Sequence, residues 1–272
     1  MSGDPQRWAD LRARVLSAIV MVAVGGGAIV AGGLPLVLLG IVAPGLMMWE
    51  LARMTRGAGA DVSVLLGVLA AAVLVLNYWA MWHFWSPGLS LAPLALLLPS
   101  LVGALTPRRD RAVFAVYALV IVLTGIGLVA LRNGVGLPAA LCVLLVVVVS
   151  DVAGYFAGRL IGGPKFWPAI SPKKTWSGTV AGWIGAALVG AGFMAAGWGG
   201  AQLLWILPIV AFAGQMGDIA ESAIKRRAGV KDSSNLIPGH GGLLDRFDAL
   251  AFAVPAALLI DLALPFMPAA GG

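Results

Sequence analysis

LPAALCVLLVVVVSDVAGYFA, residues 137–157, is the stretch on which the architecture turns. A helix of about 20 apolar residues crosses the roughly 30 Å hydrocarbon layer of a bilayer, and this run has that length and character. It also carries Asp151, a carboxylate at a depth where an unpaired charge is costly. The surrounding composition agrees with a membrane setting: 60% of the 272 residues are hydrophobic and 11% are charged. A soluble domain is charged at about a quarter of its positions, and mean hydropathy here is +0.96. Cys142 is the single cysteine and lies inside the quoted run, which excludes a disulfide framework and a cysteine metal site.

Working outward, the same criterion predicts an all-α polytopic membrane protein with about nine transmembrane helices. They run Val15 to Ala31, Leu34 to Met48, Val62 to Trp82, Leu89 to Leu105, Ala112 to Leu131, Leu137 to Ala157, Gly178 to Ala196, Leu203 to Ala220 and Leu244 to Met267. All eighteen lysines and arginines except Arg132 then fall on one side. By the positive-inside rule that side is cytoplasmic, as is the amino terminus. The charged start, with Arg7, Arg12 and Arg14, reads as a retained first helix, since no small-residue cleavage site follows.

The chain divides by polarity. Residues 1–131 read as a transmembrane scaffold whose notable features are Glu50 and an aromatic group, Tyr78, Trp79, Trp82, His83, Phe84 and Trp85, of interfacial-belt type. Residues 132–272 read as the catalytic region, with cytoplasmic loops 158–177 and 221–247. At about 1.5 Å per residue, Asp151 and Asp218 both lie about 21–22 Å from the outer side, in the cytoplasmic third of the membrane. Asp218, Glu221, Ser222 and Lys225 share one helix face by their i, i+3, i+4 and i+7 spacing, and Asp245 and Asp248 are also three apart. Such acids pair with nearby cations, Asp218 with Lys225 or Arg246, or they coordinate a metal. Oxygen-only ligands with little histidine favour a hard ion such as Mg2+.

Two loops add chemistry. GGPKFWPAISPKKTWSG, residues 162–178, carries Lys165, Lys173 and Lys174 between prolines, and SAIKRRAGVKDSSNLIPGHGGLLDRFD covers residues 222–248. Any one lysine is explained by topology or lipid headgroups. Three glycines around His240 suggest a turn whose backbone amides are available to phosphate oxygens, followed at once by a helix opening on carboxylates.

The run from Ser222 through Lys225-Arg226, Lys231-Asp232, Pro238-Gly-His-Gly-Gly and Asp245-Arg-Phe-Asp248 resembles the signature of the phosphatidate cytidylyltransferases. SDVAGYFAGR (residues 150–159) and SPKKTW (residues 171–176) are similar to two further blocks of that family. The chain departs from the pattern at Ser177, usually acidic, and at Ala153-Gly154, usually in reverse order. The resemblance covers roughly Leu137 onward and implies transfer of the cytidylyl group of CTP to phosphatidate, with magnesium as cofactor and a second cation left open.

It further implies Asp218 and Asp245 as principal metal ligands, with Asp248 and Glu221 secondary, and Lys225 and Arg246 at the reacting phosphates. Lys173, Lys174, Ser222, Arg226, Lys231, Gly241 and Gly242 would contact substrate. His240 would donate to a phosphate or shape its loop, and Asp151, Arg159 and Lys165 belong to the same region with Asp151 a cation ligand or a partner of Arg159. Asp261 reads as structural. Partners would be CTP, phosphatidate and membrane lipids, with no nucleic acid, at the cytoplasmic face of a bacterial plasma membrane. The small-residue face Gly182, Ala186, Gly190 packs helices within a subunit or between two, and the resemblance points to a homodimer. Two alternatives stand beside this: a related CTP-dependent nucleotidyltransferase or kinase acting on another lipid, and a cation transporter using Asp151, Asp218 and Asp261. Acids clustered on one side argue against the transporter.

Overall fold

A computed structural model of the chain describes residues 5–83 and 92–266, with side chains from 14–83 and 94–266. Phe84, Trp85, Leu89 and the side chains of Arg7 and Arg12 lie outside these. The helices are α1 (Pro5–Ala31), α2 (Gly33–Met54), α3 (Ser63–His83), α4 (Ala92–Ala95), α5 (Leu98–Leu105), α6 (Arg111–Ala130), α7 (Leu137–Leu160), α8 (Trp176–Ala195), α9 (Leu203–Ala228) and α10 (Leu244–Ala263). A π-helical turn, Leu131–Val135, joins α6 to α7, and a short antiparallel hairpin of β1 (Lys165–Trp167) and β2 (Ser171–Thr175) joins α7 to α8. The protein is an all-α membrane protein.

Seven helices among the described residues are long and apolar enough to cross a bilayer: all of α2, α3, α7, α8 and α9, α1 from Arg14, and α6 with the turn that follows. The two remaining expected spans take a different form. The fourth appears, where described, as the short helices α4 and α5, with Pro99 starting the second. At about 1.5 Å per residue an eight-residue helix cannot cross the membrane. The ninth, α10, has 20 residues but holds Asp245, Arg246, Asp248 and Asp261. Apolar side chains such as Val22, Leu34, Leu160 and Leu188 are well exposed along these helices. That is costly in water and neutral against lipid tails.

The helices form two compact units that do not follow chain order. Residues 1–125 and 228–247 make the first, and 126–227 with 248–272 make the second. The first unit therefore takes in the carboxy-terminal signature loop as well as the amino-terminal helices. There α2 and α3 approach at Gly45 and Gly67, where a Cβ at Gly67 would lie 2.7 Å from the Gly45 carbonyl oxygen. α6 meets α2 through Gly125, and the Tyr78 hydroxyl donates to the Gly125 carbonyl at 2.9 Å. Asp61 accepts from the Ser63 amide at 2.9 Å at the start of α3, and its hydrogen bonds to Ser63 hold its carboxyl below the ordinary range.

In the second unit, Cys142, Val146, Ala186, Leu203, Ile206, Val210, Ala253 and Ala257 belong to one apolar core. α7 and α8 pack backbone to backbone through Gly154 and Gly178. The small-residue face of α8 is used inside this unit: Gly182 lies against Ser150 and Gln215, Ala186 is fully buried, and Gly190 lies against the Leu203 carbonyl.

Candidate active site

The second unit brings together most of the acids singled out from the sequence. Gly217 sits one residue before Asp218 on α9, and a Cβ there would overlap the carbonyl oxygen of Asp248. One turn earlier, Gly214 lies against the Ala249 carbonyl, at 3.3 Å from a hypothetical Cβ. These two glycines let α10 lie against α9 at the level of Asp248. As a result Asp218, Glu221 and Asp248 each present a carboxylate oxygen within 4.8 Å of the others, the group of metal-ligand type found among the described residues.

Lysines answer this negative charge. Lys174, at the end of the hairpin, forms an ion pair with Asp218 Oδ2 and donates to the Gln215 carbonyl at 3.4 Å. Lys225 pairs with Glu221 Oε2 at 2.5 Å, one turn along α9, and Glu221 is fully buried. The sequence suggested Lys225 or Arg246 as the partner of Asp218; the hairpin supplies Lys174 instead. β2 ends at Thr175, whose hydroxyl accepts from the Gly178 amide at 3.2 Å and caps α8. That cap fixes the hairpin's exit and hence the position of Lys174.

A cavity of about 440 Å³ opens beside this group. Its lining includes Asp151, Arg159, Lys173, Lys174, Gln215 and Asp218. The Arg159 guanidinium donates to the Tyr155 hydroxyl at 2.8 Å rather than to Asp151. Lys165 is exposed on β1. The cavity thus combines cationic, carboxylate and apolar walls, with Tyr155 and Phe166 among the rings.

Gln215 is a member that the sequence reasoning missed. Its Nε2 donates to Ser150 Oγ at 3.1 Å and to the Thr179 carbonyl at 3.3 Å, while its Oε1 accepts from Trp183 Nε1 at 3.0 Å. One buried amide therefore ties α7, α8 and α9 together beneath the cavity. The available signal was an amide inside an apolar span, three residues before Asp218.

The first unit holds the remaining signature residues. Pro238 and Gly239 occupy the central positions of a type II turn: the His240 amide donates to the Ile237 carbonyl at 2.9 Å, and Gly239 has φ +76°. Asp245 Oδ2 accepts from the Ser233 amide (2.9 Å), the Ser233 hydroxyl (3.0 Å) and the Gly242 amide (2.7 Å). Arg246 donates through Nε and Nη2 to the His240 carbonyl at 3.0 and 2.8 Å. His240 Nδ1 lies 2.8 Å from Ser17 Oγ. Two of the loop amides expected to be available to phosphate, those of His240 and Gly242, are thus committed within the unit.

Glu50 is the second residue that sequence reasoning undervalued. It is fully buried, and its carboxylate accepts from Ser234 Oγ at 2.5 Å, the Leu243 amide at 2.9 Å and the Leu244 amide at 2.6 Å. Nothing near it in the sequence announces partners about 190 positions away.

The sequence profile of the Cytidylyltransferase family matches residues 12–262. The chain belongs to that family. Members similar to it include the phosphatidate cytidylyltransferase of Staphylococcus saprophyticus, 34% identical over 256 residues, covering 90% of this chain and 96% of that protein. That of Bacillus subtilis is 30% identical over 263 residues, with the same coverage. That of Brucella suis is 50% identical over 117 residues, a match spanning 40% of this chain and 41% of that protein. Membership in the family makes the chain a nucleotidyltransferase, here built on a membrane-embedded fold.

The donor chemistry of Asp218, Glu221 and Asp248 fits a magnesium ion: all ligands are carboxylate oxygens, and they come from two helices locked together at Gly217. Three carboxylates at this separation repel one another, and a divalent cation would relieve that repulsion more fully than Lys174 and Lys225 alone.

Proposed function

We propose that the protein transfers the cytidylyl group of CTP to phosphatidate at the cytoplasmic face of the membrane, giving CDP-diacylglycerol and pyrophosphate. The observation that carries this is the cavity in the second unit, where Lys173, Lys174 and Arg159 line one space with Asp151 and Asp218. An anionic nucleotide requires the lysines and arginine. A polyphosphate held through a hard cation requires the acids.

In this proposal a phosphate oxygen of phosphatidate attacks the α-phosphorus of CTP in line. The bond from that phosphorus to the oxygen bridging to the β-phosphorus breaks, and pyrophosphate leaves. Magnesium, when bound by Asp218, Glu221 and Asp248, would neutralise triphosphate charge. Lys174 is held by Asp218 at the cavity wall and would meet the charge that grows on the leaving pyrophosphate, with Lys173 and Arg159 beside it. Lys225 would hold Glu221 in place. Ser222 and Arg226 follow on α9, and their contacts to substrate rest on the family signature. So do the roles of Lys231, His240, Gly241, Gly242 and Arg246, which lie in the first unit, and a metal role for Asp245. The positive-inside charge pattern supports a cytoplasmic site and an amino terminus on the same side.

The test is to purify the protein in detergent, supply CTP, phosphatidate and magnesium, and follow the CDP-lipid together with pyrophosphate. Equal yields of both are expected. A folded preparation that forms neither would sink the proposal, and formation of product only with another lipid acceptor would move it to that lipid.

A further inference from the structure

Glu50 lies outside every stretch that the family resemblance rests on, yet its placement is demanding for a carboxylate. It stands just before the last turn of α2, near the negative end of the helix dipole, which disfavours a carboxylate. It is also fully buried, which is costly for a charge that lacks donors. Both penalties are met from one source. The Leu243 and Leu244 amides at the positive end of α10 point at it, and Ser234 closes the third side.

These three donors lie at the two ends of the Ser234–Leu244 loop, so one carboxylate pins the loop at its entrance and at its exit. Asp245 repeats the arrangement one step away, joining Ser233 to Gly242. The space is closely fitted: a Cβ at Gly242 would overlap both Ser233 Oγ and Glu50 Oε1. Within the pinned loop, the His240 carbonyl is the acceptor that fixes the Arg246 guanidinium through two hydrogen bonds.

We infer that Glu50 is a positioning residue, acting through the Ser234–Leu244 loop to fix the Arg246 guanidinium, the group to which the family signature gives a phosphate contact. This rests on the cytidylyltransfer proposed above and gives the amino-terminal half a part in it. Glu50→Gln keeps the size of the side chain but turns one acceptor into a donor that faces another donor. The loop is then released at one end, and Arg246 loses a fixed acceptor.

The experiment measures three things on Glu50→Gln, Arg246→Lys and the double variant, with Ser234→Ala as a milder lesion of the same anchor. Hydrogen exchange at the Leu243 and Leu244 amides should quicken in Glu50→Gln by at least about tenfold, while exchange in the core of α9 stays slow. KM for CTP should rise about tenfold in Glu50→Gln, with kcat changed less than about threefold, and Ser234→Ala should move KM the same way by a smaller factor. The double variant should be no worse than Arg246→Lys alone, because both lesions act on one group. Unchanged exchange at the two amides, an unchanged KM with only kcat or folded yield reduced, or effects that multiply in the double variant would each overturn the inference. Exchange is read without substrate, so a wild-type protein inactive on CTP and phosphatidate would refute the proposed function separately from the loop anchor.

Discussion

Replacing Gly217 with alanine should damage the site far more than it damages the fold. The added Cβ would overlap the Asp248 carbonyl oxygen and come within 2.9 Å of Phe252 Cδ2. To reach ordinary contact the α10 backbone must retreat by about 1 Å at Asp248. Overpacking of this kind costs about 1–3 kcal/mol, and replacing a mid-helix glycine with alanine returns about 1 kcal/mol, so the net destabilisation is about 0–2 kcal/mol. The same shift carries the Asp248 carboxylate away from Asp218 and Glu221. A displacement of about 1 Å at a reacting centre costs about 100-fold in rate. Gly214→Ala is the internal control, because its Cβ would stand 3.3 Å from the Ala249 carbonyl and a few tenths of an ångström of adjustment suffice.

The assay is CDP-lipid formation in detergent across a magnesium titration, with thermal unfolding of the same preparations. Gly217→Ala should lose about two orders of magnitude in rate and need more magnesium for half-maximal activity, while Gly214→Ala stays within about tenfold of the parent. Full activity and an unchanged magnesium requirement in Gly217→Ala would refute the placement of Asp248 in the metal group.

Two further outcomes are expected. Gln215→Leu leaves Trp183 Nε1 and Ser150 Oγ without their amide partner, and loss of this buried network should destabilise the protein by about 1–3 kcal/mol in a denaturant or thermal titration; an unchanged midpoint would contradict it. Asp218→Asn should abolish measurable turnover and Asp245→Asn should lose most of it. Asp261→Asn, whose side chain accepts only from the Phe266 amide among the hydrogen bonds found, should keep most activity, and equal rates in all three would refute the division of roles.

Sequence and structure agree most where the physics is local. Apolar run length, the alternation of spans with basic loops and the i, i+3, i+4 spacing of Asp218, Glu221 and Ser222 each depend on neighbours along one helix. These made the membrane class, most spans and the acidic face of α9 legible from the residues alone. The resemblance of the carboxy-terminal signature added the chemistry.

What remained hidden was pairing between distant segments. The fourth span breaks at Pro99 because a proline starts a new helix there, although hydropathy alone runs on through it. A hairpin was not foreseen between α7 and α8, since the prolines suggested turns without a ladder. Lys174 could be paired with Asp218 only once that hairpin was placed, and the Gly242 amide reads as a donor awaiting a phosphate until Asp245 is seen to occupy it, with Glu50 taking the Leu243 and Leu244 amides that follow. Residues 137–157 by themselves determine that a helix crosses the membrane and carries an acid. That the acid faces a lysine, and that Glu50 meets a loop about 190 positions away, depends on which helices lie side by side, because a carboxylate acquires its partners from packing rather than from its own stretch of chain.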